Sequence, residues 1–80
     1  MPKPEDLEVA RMVRKEFARR PIDTSLMTIS IVHGVVYLRG SVKPMRGHTF
    51  DMKEELEILS KILRQRPGIR DVVIDVTRRT

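Results

Sequence analysis

The chain has no cysteine and no tryptophan, and its aromatics are confined to Phe17, Tyr37 and Phe50. Without cysteine, a disulfide scaffold and a thiolate zinc site are both excluded. No apolar run approaches the ~20 residues that a membrane-crossing helix needs. The opening Met1-Pro2-Lys3-Pro4-Glu5-Asp6 has no apolar core of the kind that marks a secretory signal. The expectation from that opening is a cytoplasmic protein if the chain is complete. Dinucleotide and phosphate-loop fingerprints are missing, as is a His pair at the i,i+4 spacing of helical zinc sites. None of Ser25, Ser30, Ser41 or Ser60 lies in a nucleophile-elbow pattern. An enzyme is therefore not expected, and the sequence implies no metal, no cofactor and no catalytic residue.

What remains is a basic domain. Its 80 residues carry 16 Lys+Arg against 11 Asp+Glu, for a net charge of +5. That length makes one domain spanning 1–80, with an ordered core of about 5–77. A first helix is predicted from Pro4 to Arg19. Proline suits the first helical turn, and Pro21 disfavours helical geometry at Arg20. At 100° per residue Leu7, Val9, Ala10, Val13 and Phe17 share a broad face, and Arg11, Arg14, Lys15 and Arg19 lie opposite. The acids of both helices have basic neighbours and read as solvated surface charges.

Alternation predicts strands at Leu26–His33 and Val35–Val42, joined at His33-Gly34, where a positive φ is cheap. Val36, Leu38 and Val42 are expected inside, and Val35, Tyr37 and Arg39 on an open face. Residues 43–50 follow neither period and read as a loop bearing Lys43, Arg46 and His48. Asp51 with Glu54 has capping-box spacing and opens a second helix, with Glu57–Lys61 as a favourable i,i+4 pair. Its apolar arc, Met52, Leu56, Leu59 and Leu63 widened by Ile58 and Ile62, is expected to touch both the sheet and the first helix. Pro67-Gly68 ends it. The last strand is predicted over Ile69–Val76, with Val72, Ile74 and Val76 inward, and Thr77–Thr80 as a frayed basic tail. The sum is an α+β fold of order αββαβ: a three-stranded mixed sheet with two helices packed on one face.

Two segments carry a family resemblance. His33-Gly-Val-Val-Tyr-Leu-Arg-Gly-Ser-Val42 resembles the hairpin signature of the bacterial osmotic-shock and nodulation (BON) domain, and Arg66-Pro-Gly-Ile-Arg-Asp-Val-Val-Ile-Asp-Val76 resembles that family's closing segment. Gly34, Gly40 and Gly68 stand where the family keeps glycines, and each also has a backbone reason: a turn, a bulge or close approach, and a helix end. The interval from Gly40 to Gly68 exceeds the family pattern, and the excess falls in loop 43–50. The resemblance implies an αββαβ fold, a mostly periplasmic or membrane-associated setting and phospholipid association as an accessory module.

Three binding functions follow. An anionic lipid surface would be met by Lys43, Arg46 and His48 of the loop and by Arg11, Arg14 and Lys15 of the first helix, with Met45 and Phe50 as the apolar candidates for insertion. Nucleic acid is the second reading. It lacks a GxxG clamp, since Gly34, Gly40 and Gly47 have no glycine three residues on, and it lacks a stacking platform, since Tyr37 stands alone. The third is a homodimer or protein partner on the open sheet face at Val32, Val35, Tyr37 and Val73, or at a sheet edge.

Overall fold

The structure is a computed structural model and describes residues 4–79. Its elements are α1 (Pro4–Ala18), β1 (Ile22–Val32), β2 (Val35–Pro44), α2 (Met52–Arg64) and β3 (Asp71–Arg78). The order is the expected αββαβ. β2 is the central strand, antiparallel to β1 and parallel to β3. A parallel pair needs a crossover, and α2 supplies it.

The pleat decides what is buried. Val36, Leu38 and Val42 of β2 are fully buried beneath Val9, Val13 and Phe17 of α1 and Leu56, Leu59 and Leu63 of α2, in one core. Each such side chain contributes about 1.5–3 kcal/mol on leaving water. The Asp51 carboxylate caps α2, accepting from the Lys53 and Glu54 amides at 3.0 and 3.3 Å.

Several expectations are corrected at the margins of this sandwich. Leu7 is 49% exposed and Ile74 is 37% exposed. Ile74 lies on the inward side of β3, an edge strand, and Leu7 lies at the margin of the apolar arc of α1, beside the outer edge of β1. Ile58 is also exposed, so the apolar arc of α2 is wider than its partners. Among the described residues α2 makes its ion pairs through Glu55, with Arg20 at 2.8 Å, and Arg64, with Asp71 at 3.2 Å, rather than through Glu57 and Lys61. α1 ends at Ala18 rather than Arg19. β1 begins at Ile22, four residues before the predicted start, and β2 runs on to Pro44. Ile22, outside the expected core, is among its most deeply buried side chains. The last strand is shifted: Ile69 is buried ahead of it, and it extends to Arg78. Arg78 pairs with Val42, and the Arg79 amide donates to the Val42 carbonyl at 2.7 Å. The expected frayed tail is thus ordered through Arg79, while Thr80 lies outside the described residues.

The early start of β1 depends on a bulge. The register with β2 shifts between Asp23 and Leu26, and next to the shift, paired with Met27, sits Gly40 at φ +101°. A Cβ on Gly40 would collide with the Leu26 carbonyl oxygen. Of the two readings open for this glycine, the bulge applies, since the approaching backbone is a strand's and not a helix's. Gly47 also has a positive φ, +87°, but nothing lies within 4 Å of its Cβ position. Gly47→Ala therefore isolates backbone strain, about 1–2 kcal/mol, whereas Gly40→Ala adds overpacking of about 1–3 kcal/mol. Urea unfolding should show Gly40→Ala as clearly the more destabilised of the two.

Candidate anionic-surface site

One end of the sheet collects positive charge. There β2 finishes in Lys43 and Pro44, and β3 finishes in Arg78 with Arg79 directly after it. The polypeptide leaves β2 through the loop 45–51 and returns at the start of α2. A tight turn shapes the loop, with the His48 amide donating to the Met45 carbonyl at 3.0 Å. A 2.9 Å bond from the Met45 amide to the Pro21 carbonyl ties it to the end of α1. Arg78 and Arg79 line a surface depression together with Pro44, Phe50, Asp51, Met52 and Lys53. The Arg79 Nε is buried and has no hydrogen-bond partner.

Two of the acids at this end, Asp51 and Asp23, are already engaged. Asp51 is committed to the α2 amides. Asp23 accepts from the Ser25 amide at 2.9 Å, and its carboxylate lies 3.9 Å from the Lys43 ammonium. The hydrogen bonds from Ser25 hold the Asp23 carboxyl below its ordinary value, with smaller contributions from the charges of Lys43 and Arg79. The loop itself carries Arg46 and His48, both exposed. Phe50 packs against the core, which leaves Met45, 47% exposed, as the loop's projecting apolar side chain.

The expected contacts therefore divide into two groups. Lys43, Arg46 and His48 share the basic pole. Arg11, Arg14 and Lys15 are exposed on α1, and Arg14 lies beside Thr24, Met27, Thr28 and Ile29 along the outer edge of β1. Arg78 and Arg79 were not among the expected contacts, because a basic run at a chain end reads as a tail. The usable signal was strand alternation continuing past Val76, which carries β3 beside the end of β2.

Two helix acids expected at the surface are instead buried, Asp6 at 8% and Glu16 at 7% exposure. Glu16 accepts from Arg66 at 2.7 Å and from Arg19 at 3.4 Å, joining the end of α1 to the segment after α2. Tyr37 is not a free stacking face, since the Arg39 guanidinium sits 5.6 Å from its ring centre.

His33 and His48 lie at opposite ends of the hairpin. Its strands span about 30 Å at their usual rise, so the two imidazoles cannot act as a pair. His33 sits at the turn with φ +50°, beside Gly34 at φ +80°, as a two-residue hairpin turn requires. Among the described residues no group of three or more His, Asp or Glu is placed to hold a metal ion. No family model, curated protein or solved structure matches this chain.

The lowered Asp23 pKa has a defined pH consequence. A carboxyl whose folded pKa lies below its unfolded value stabilises the fold above the unfolded pKa, and loses that contribution as pH falls through the folded pKa. In an NMR titration the Asp23 carboxyl should titrate below the ordinary aspartate value. Asp23→Asn should make the loss of stability on acidification shallower below about pH 4.

Proposed function

We propose that this protein is a non-catalytic module that docks on anionic phospholipid surfaces through its basic pole. The observation that carries the reading is the arrival of Arg78 and Arg79 at the end of the sheet that also bears Lys43, Arg46 and Lys53. Their acidic neighbour Asp51 is turned to backbone amides, while Asp23 accepts from the Ser25 amide and stands 3.9 Å from Lys43. Exposed cations near an anionic membrane contribute about 1 kcal/mol each. Met45, held out between Lys43 and Arg46, supplies an apolar side chain of the kind that enters the headgroup region. The resemblance of the hairpin and closing segment to the BON domain supports the same reading, because it implies phospholipid association.

The pole is preferred over α1 because its cations converge from three segments, whereas Arg11, Arg14 and Lys15 are spread along a single helix. No free aromatic platform favours nucleic acid, Tyr37 being covered by Arg39.

Flotation with phosphatidylglycerol-containing vesicles should show binding that weakens with salt, and pure phosphatidylcholine vesicles should show none. Arg46→Gln with Arg78→Gln should weaken the anionic-vesicle affinity roughly 30-fold, at about 1 kcal/mol per cation. Arg11→Gln with Lys15→Gln should leave it nearly unchanged. The reading fails if the pole variant binds as well as the parent, or if a salt-dependent RNA shift occurs without any vesicle affinity.

A further inference from the structure

The outer edge of β1 differs from every other surface of this chain. Its segment Leu26–Val32 reads Leu-Met-Thr-Ile-Ser-Ile-Val, with no charge, proline or glycine, in a protein whose residues are 34% charged. Exposed edges are ordinarily guarded by charge, proline or a covering element. The opposite edge, β3, carries Asp71, Asp75 and Arg78. β1 itself carries no such residue from Leu26 to Val32; the charge near this edge comes from Arg14 and Asp6 of α1.

Its hydrogen-bonding pattern follows from the hairpin. The closing pair of a two-residue turn, Val32 and Val35, exchanges both of its amide–carbonyl bonds, and these alternate along the ladder. The main-chain groups of Met27, Ile29 and Ile31 therefore point outward, away from β2. Their side chains are only partly buried and look toward α1.

Along this edge α1 presents an ordered series of groups. Asp6 and Leu7 stand beside Ser30 and Ile31, Ala10 lies midway, and Arg14 stands beside Met27 and Thr28. Asp6 is 8% exposed and has no side-chain partner among the described residues. Leu7, Leu26 and Val32 are each about half exposed.

We propose that two copies of this chain associate through β1, paired antiparallel about a two-fold axis at Ile29, so that the two three-stranded sheets become one. This register satisfies each unusual feature of the edge at once. Ile29 meets its own copy through the outward main-chain groups, and Met27 meets Ile31. On the open face Thr28 meets Ser30, and the exposed Leu26 meets the exposed Val32. On the helix side Arg14 of each copy comes to the end where the other holds Asp6, with the small Ala10 at the crossing. An isologous interface demands this kind of self-complementarity. The charged β3 edge keeps the assembly closed at two copies. The pairing does not involve the basic pole and is independent of the lipid reading.

Sedimentation velocity over a concentration series tests the proposal, with about twice the 9.3 kDa chain mass expected at the upper end. Register is tested with the cysteine-free background. Thr28→Cys and Ser30→Cys, mixed under mild oxidation, should form a disulfide-linked heterodimer, because a non-hydrogen-bonded pair places its Cα atoms about 4.5 Å apart. Either variant alone should cross-link poorly. Thr28→Lys with Ser30→Lys sets lysines opposite one another and should weaken the dimer at least tenfold, with an unchanged circular dichroism spectrum since both positions are exposed. A monomer up to roughly millimolar concentration, a mass rising past two chains, equal cross-linking in the separate variants, or a dimer indifferent to the two lysines would each overturn it.

Discussion

Burial of β2 from one side only is the constraint on which the other features depend. Val36, Leu38 and Val42 can leave water only if two helices lie across the same face, and a chain of this size has only those two helices to give. The opposite face has no helix over it: Thr28, Ser30, Arg39, Asp71 and Asp75 are exposed there, interspersed with the exposed apolar Leu26, Val32 and Val73. The parallel pairing of β2 with β3 follows from the same requirement, because α2 must cross the sheet between them to do the covering. The topology that builds the core thus also sets where the strands end, and the strand ends define the basic pole.

Hydrophobic period carried most of the fold in advance of any coordinates. Alternation in β2 and the spacing of Val9, Val13 and Phe17, or of Leu56, Leu59 and Leu63, each identify an inward side that burial bears out. Period is blind to the lateral position of an element in its layer. Leu7 and Ile74 satisfy the period and still meet solvent, because depth also depends on what lies beside an element. The start of β1 was hidden for a different reason. Asp23-Thr-Ser25 has the composition of a turn, and the bulge that admits it to the sheet goes with a positive φ at Gly40, next to the shift and against the Leu26 carbonyl. That is a relation between two distant segments, which no local window contains.

The candidate site divides in the same way. Lys43, Arg46 and His48 are readable from a run of bases without an acid, since composition alone marks a basic loop. Arg78 and Arg79 join them only through strand pairing, with Arg78 held against Val42. The acids were harder still. Glu16 has basic neighbours in sequence and looks solvated, yet its decisive partner is Arg66, fifty residues away, at 2.7 Å. Long-range ion pairs of this sort bury a carboxylate that local charge patterning assigns to the surface.

The two edges of the sheet show how little of a small protein's surface is free of competing demands. A three-stranded sheet has one interior strand and two edges, so two of its three strands face the hazard of unplanned pairing. At β3 the hazard is met with charge. At β1 the stretch from Leu26 to Val32 spends no residue on protection, although charged side chains are abundant elsewhere in the chain. The bulge at Asp23 protects only the first part of the strand. An unguarded edge that is also flanked by a half-exposed leucine and a small alanine leaves apolar surface in water in an isolated monomer. The same edge is favourable only where its main-chain groups find complements, so the asymmetry between β1 and β3 is itself an argument that the two edges meet different surroundings.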